Sequence, residues 1–134
     1  MPADCVADAH ALLWFIEGNA KLGASARAFM SDPDNQIVIP AIALAEACRV
    51  TEKRRTTIPS VTELLAAIDG DSRMSVDVID RDLVQRSVAL PAVSEMHDRV
   101  IVATAVRRLE QQPSTVLLSA DVSIRNSGLV PTEW

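Results

Sequence analysis

QIVIPAIALAEACRV, residues 36–50, changes its hydrophobic period halfway through. Ile37-Val38-Ile39-Pro40 is apolar without alternation, the pattern of a strand covered on both faces in a parallel sheet. With no linker between, AIALAEACRV becomes helical, with Ile42, Ala45 and Arg49 along one side. A buried strand running directly into a helix is the repeating unit of an α/β fold. The same stretch poses a chemical question. Glu46 stands one turn from Ile42 and one turn from Val50, and neither a cap nor the helix dipole explains a mid-helix acid on an apolar side.

The flanking sequence repeats the alternation. Cys5-Val6-Ala7 predicts a short strand ending at Asp8, and HALLWFIEG a helix closed by Gly18. LGASARAFM is a second helical stretch, stopped by the turn residues SDPDN. SVTELLAAIDG has helix-start chemistry in Pro59, Ser60 and Glu63, with a glycine at its end. RMSVDVID alternates like a strand, and Asp80 is placed to cap the helix RDLVQRSVAL, which Pro91 terminates. EMHDRVIVATAVRRL, residues 95–109, carries the stripe Ile101, Val102, Ala105 and Leu109, and one step back along that stripe stands Asp98. TVLLSAD is a further strand, followed by a helical turn SIRNSG and a last strand LVPTEW. The expectation is a three-layer α/β/α sandwich with a parallel sheet of about five strands, residues 1–134 forming a single domain.

Composition narrows the function classes. The chain has 134 residues and a formal net charge of −5, which argues against a general polyanion-binding surface. No apolar run approaches a membrane span, and MPADCVADAHALLW has acids at Asp4 and Asp8 and no basic segment of a signal peptide. Cys5 and Cys48 sit in apolar segments without metal-type spacing; they read as buried free thiols of a reducing compartment, with a disulfide as the alternative. A cytoplasmic protein with no membrane partner is expected.

In open parallel sheets, ligands bind beyond the carboxyl ends of the strands. Asp8 follows the strand Cys5-Val6-Ala7 and Asp121 follows TVLLSA, each at a carboxyl end. Glu46 and Asp98 lie on apolar sides of two helices. Four carboxylates from distant parts of the chain would then face one rim, raising each other's pKa and opposing folding. A divalent cation removes the conflict, and Mg²⁺ or Mn²⁺ with oxygen ligands leaves positions for a phosphate substrate. The chemistry so implied is metal-assisted phosphodiester hydrolysis. Taken singly, each acid has a plainer role: Asp8 and Asp121 as helix caps, Asp98 as a partner of the helix dipole.

The acids occur in segments that resemble those of PIN domains, and most closely those of VapC-type toxins of bacterial toxin–antitoxin pairs. The segments are ADAHALLW, IPAIALAEACRV, EMHDRVIVATA and LLSADVSIR, in the family's order and spanning nearly the whole chain. The resemblance implies a Mg²⁺- or Mn²⁺-dependent endoribonuclease with Asp8, Glu46, Asp98 and Asp121 as its acidic quartet. It further implies an RNA substrate, a homodimer, and a cognate antitoxin protein that silences the toxin. The hydroxyl residue that often follows the first Asp of the family is Ala9 here, while Ser119 keeps a hydroxyl near Asp121.

Other residues are supporting candidates. Arg99 and Arg125 flank acid positions and could meet a phosphate or pair with a carboxylate. His10 and His97 suit hydrogen bonding better than general-base work, since a metal site already supplies the nucleophile. Lys53, Arg54 and Arg55, with Arg49 one turn earlier, are a solvated helix end or a phosphate- or antitoxin-binding rim. Trp14 is expected in a core or dimer interface, with Leu12, Leu13 and Phe15. With two Trp, two Phe and no Tyr, base-stacking platforms are not expected. Two alternatives remain open: a catalytically weak or inactive PIN-fold binding module, and a phosphatase or nucleotide-binding α/β protein. Against the latter, the glycines are scattered at 18, 23, 70 and 128 with no phosphate loop, and no Ser or Cys has a nucleophile-elbow context.

Overall fold

A computed structural model describes residues 2–134. Its elements run β1 (Asp4–Ala7), α1 (Ala9–Glu17), α2 (Ala24–Ser31), β2 (Gln36–Pro40), α3 (Ala41–Glu52), α4 (Val61–Asp69), β3 (Met74–Asp77), α5 (Arg81–Val88), α6 (Met96–Gln111), β4 (Val116–Leu118), α7 (Val122–Asn126) and β5 (Thr132–Glu133). The strands form one five-stranded sheet in the order β3-β2-β1-β4-β5. Every pairing is parallel, with Val6 opposite both Val38 and Leu117. The α/β architecture with a five-stranded parallel sheet read from the sequence is the one found.

The central strands show why. Cys5, Val6 and Ala7 are all buried, as are Ile37 to Pro40, so both faces of the sheet are covered. The core behind them contains Leu12, Leu13, Met30, Ile101, Leu117, Leu118 and Ile124. A smaller cluster of Leu83, Val100 and Ala103 joins α5 to α6. Local chemistry sets the boundaries. Ser60 and Asp80 cap α4 and α5 by accepting the N–H groups of Glu63 and Leu83. Gly18 ends α1 at φ 67°, a left-handed conformation that glycine adopts without steric penalty.

The strands at the two edges are shorter than their sequence patterns. β3 stops at Asp77, and Val78 and Ile79 run on exposed beyond its partner β2. β5 is two residues long, because Pro131 has no N–H to donate, although its carbonyl accepts the Leu117 N–H at 2.8 Å. Cys5 and Cys48 are both free, and burial pushes the Cys5 thiol up to about 12, leaving it unreactive. No described helix is long and apolar enough to cross a membrane.

The order reverses at β1. The chain builds outward through β2 and β3, then returns to lay β4 on the other side of β1. Such a switch point opens a crevice beyond the carboxyl ends of the two central strands. Leu118 is fully buried at that end of β4, opposite Ala7. Leu118→Ala is expected to lower unfolding stability by about 2–5 kcal/mol in urea titration, with an unchanged denaturant slope.

Candidate functional site

At the switch point lies a cavity of about 330 Å³ whose lining includes Asp8, Glu46, Asp98 and Asp121. The four acids reach it from four directions. Asp8 is the residue between β1 and α1, and its Oδ1 accepts the Ala11 N–H at 2.8 Å. Asp121 links β4 to α7, and its Oδ1 takes three hydrogen bonds, from the Ser123 hydroxyl and from the N–H groups of Ser123 and Ile124. Glu46 projects from the middle of α3, and Asp98 from the first turn of α6, where its own N–H is held by Glu95 Oε2 at 2.9 Å.

The plainer roles and the shared location therefore coexist. Asp8 and Asp121 are caps, as their positions before helices foretold, and both still line the cavity. Ser119 is fully buried and ties the two together. Its hydroxyl accepts the Asp121 N–H at 3.1 Å and favours the ionised form of Asp8. Ala9 is 4% exposed, so the position following Asp8 packs into the core and offers the site no hydroxyl.

The electrostatics of the four acids differ. Burial raises the pKa of Asp8, against the lowering effects of the Ala11 N–H and Ser119. Burial also raises Glu46, with Glu95 and Asp8 adding to it and His97 opposing. His97 Nδ1 stands 3.1 Å from Glu95 Oε1 and 3.9 Å from Glu46 Oε1. Asp121 goes the other way, its pKa lowered first by the Ser123 hydroxyl. Asp98 is pushed up to about 6, by desolvation first and then by Asp121, Glu95, Glu46 and Asp8.

An all-carboxylate set suits a hard cation such as Mg²⁺ or Mn²⁺ in its donor chemistry. Asp121 takes its hydrogen bonds on Oδ1, which leaves Oδ2 for another partner. Among the described residues, however, no group of three or more His, Cys, Asp or Glu side chains stands as a ready-made metal cage. Unscreened carboxylates stand apart, and drawing them closer without a cation would deepen the repulsion already evident at Asp98.

The supporting candidates divide. His10 lines the cavity and is exposed. Arg99, one residue after Asp98, turns away: its Nε donates to the Val93 carbonyl, fastening the loop before α6. Arg125 borders a separate polar depression with Asn126 and Thr132. Lys53, Arg54 and Arg55 are exposed just beyond α3, with Arg54 at φ 55°.

Two aromatic residues alter the expected picture. Trp14 does pack against the core, but it also lines the cavity, together with Trp134. The count of aromatics argued against a stacking platform; their positions gather both tryptophans at this one place. Trp134 had no role assigned from the sequence. The signal for it was the last strand, which pairs with β4 and so brings its end to the acid rim.

Fold and cavity define an α/β protein with a carboxylate-lined cleft at its topological switch point. The family model for the PIN domain matches residues 5–126, and the chain belongs to that family. PIN domains are generally nucleases. No curated protein matches the sequence. Among solved structures the chain is similar to VapBC2 from Rickettsia felis, with 14% identity, a TM-score of 0.66 and 97% of each chain covered. It is also similar to VapC20 from Mycobacterium tuberculosis, with 14% identity, a TM-score of 0.65, and 94% of this chain and 96% of that one covered. The T. brucei RRP44 PIN domain is similar at 17% identity and a TM-score of 0.57, over 98% of this chain and 76% of that one. At such identities the likeness is one of fold.

The raised pKa of Asp98 fixes the sign of a stability effect. Between the unfolded value of about 3.9 and the folded value of about 6, the native state binds more protons than the unfolded one. Stability contributed by this group is therefore full below about pH 4 and lost as pH rises through about 6. With divalent cations chelated, Asp98→Asn should melt at a higher temperature than the parent at pH 7, and the gap should close toward pH 4. Thermal unfolding in EDTA across that range checks both the sign and the window.

Proposed function

We propose that residues 1–134 act as a single PIN domain with Mg²⁺- or Mn²⁺-dependent endoribonuclease activity, the toxin of a type II toxin–antitoxin pair. The observation that carries this reading is the convergence of four carboxylates, from four separate elements, on one cavity at the sheet's switch point. Family membership supports nuclease chemistry, since PIN-domain nucleases typically use divalent metals. The toxin assignment draws on likeness of fold to VapC20, described as a Sarcin-Ricin loop cleaving toxin, and to VapBC2, solved with a DNA fragment from its promoter.

In this reading Asp8, Glu46, Asp98 and Asp121 hold the cation. When bound, it neutralises phosphodiester charge and activates water for attack. The chain's own residues prepare that event. Ser119 and the α1 N-terminus hold the Asp8 carboxylate, α7 holds Asp121, and His97 stands beside Glu46. Without a cation the same acids repel an RNA phosphate, so substrate binding and metal binding are coupled. The partners that follow are an RNA substrate, a cognate antitoxin, and a second copy of the chain as homodimer, in the cytoplasm.

Incubating purified protein with total RNA, in Mg²⁺, Mn²⁺ or EDTA, tests the proposal. Discrete products that require metal are expected, and Asp98→Asn should reduce their rate by about a hundredfold or more, given that residues merely supporting metal ligands commonly contribute 10–100-fold. Cleavage by the Asp98→Asn protein at the parent rate would remove Asp98 from the site. Cleavage that persists undiminished in EDTA would overturn the metal chemistry.

A further inference from the structure

The fold brings both tryptophans of this chain to one wall of the acid cavity and adds His10 to them. The His10 ring lies over Trp14, with centroids 5.2 Å apart and planes inclined at 35°. Trp134 meets Trp14 edge-on at 5.7 Å and 62°. The arrangement is firmly seated. Trp14 and Trp134 pack against the hydrophobic core. Gly23 leaves room for Trp134, because a Cβ there would come within 2.3 Å of its backbone carbon and 2.7 Å of its ring Cδ1. The neighbouring Glu133 accepts the Ser25 hydroxyl at 2.9 Å. Lys21 Nζ lies 6.0 Å from the Trp14 ring centroid.

Core packing accounts for Trp14 and Trp134 but not for His10, which is exposed and sets a planar ring at the solvent edge of the stack. The cavity is thus lined by aromatic rings as well as carboxylates, and His10 stands near enough to Asp8 and Glu46 to act on their charge. A ligand matching both has a flat ring next to an anionic group that a cation can bridge, which is the chemistry of a nucleotide. We propose that His10, backed by Trp14 and Trp134, forms a base-stacking subsite that holds the nucleobase beside the phosphodiester facing the acids. The subsite deepens the nuclease reading and rests on it for the identity of the ligand. Stacking accepts any base, since every base has a π-face. It also requires a free face, so the site takes unpaired nucleotides and excludes the interior of a duplex.

Because both tryptophans lie in the wall, intrinsic fluorescence reports on the wall alone. The probes are a mixed-sequence single-stranded RNA of about eight nucleotides and a ribose-phosphate chain of equal length lacking bases, the size being within the usual range for single-strand sites. They are titrated into the Asp98→Asn protein, so that binding is read without turnover. RNA is expected to quench the fluorescence, and the base-free chain is not. Adding His10→Ala, a change at an exposed position, should weaken RNA binding on the order of tenfold. His10→Phe should restore it to within about twofold by returning the ring without the imidazole nitrogens. Equal binding of the two probes, absence of quenching by RNA, or insensitivity to His10→Ala would overturn the subsite. Metal-dependent cleavage that requires Asp98, without base-dependent quenching, would remove the subsite and leave the nuclease. Base-dependent quenching without cleavage would do the reverse.

Discussion

The parallel pairing of β1 with β4 is the constraint from which the cavity follows. With Ala7 opposite Leu118, both strands end at the same level. The next residues, Asp8 on one side and Ser119-Ala120-Asp121 on the other, emerge side by side. Had β4 paired at the other edge of the sheet, beside β3, the two aspartates would be separated by three strand spacings, roughly 14 Å. The remaining acids depend on the same frame, because α3 and α6 pack on each other and each contributes one carboxylate. β5 then extends the sheet beyond β4 and carries Trp134 to the same cavity.

Concentrating four carboxylates opposes folding, and the structure offsets this unevenly. Asp121 is best provided for, with three hydrogen bonds on one oxygen and a lowered pKa. Asp8 has its cap and Ser119 but is more strongly desolvated. Asp98 has no hydrogen bond of this kind to its carboxylate among the described residues. Its position in the first turn of α6 gains from the helix dipole, a contribution of about 0.3–1 kcal/mol at most surface positions. That gain is outweighed, since four neighbouring acids and desolvation still raise its pKa to about 6. Asp98 is therefore one centre of electrostatic strain that a cation in the cavity would relieve. Burial of the core beneath, from Leu12 and Leu13 through Leu117 and Leu118, holds the acids in place without a cation.

Much of this was legible in the sequence because it follows from patterns of neighbouring residues. Ile37 to Pro40 read as a doubly covered strand, Ser60 and Asp80 read as caps, and the acids after β1 and β4 read as lying at carboxyl ends; the structure has all of these. What escaped was set by distant contacts. Arg99 is adjacent to Asp98 in sequence, but a helix turns about 100° per residue, so its guanidinium leaves the cavity and meets the Val93 carbonyl. Trp134 reaches the site through a two-residue strand too short to show any period. Counting aromatics missed their convergence, because composition carries no information about whether two residues 120 positions apart meet.

The acids also show that a capping role and a ligating role do not exclude one another. A carboxylate has two oxygens, and in Asp121 one of them takes all the hydrogen bonds of the cap. The cap fixes the side chain's direction and leaves the second oxygen free of the cap's hydrogen bonds. Removing either capping acid would therefore disturb a helix start, typically by about 1 kcal/mol, as well as any function. Glu46 and Asp98 cap nothing: Pro40 precedes α3, and Glu95 caps α6. Loss of function at those two positions without loss of stability is the combination that separates a ligand from a structural acid. The mid-helix carboxylate of Glu46, the residue for which sequence offered no local explanation, is accordingly the one whose place in the fold most needs the chemistry of the cavity to account for it.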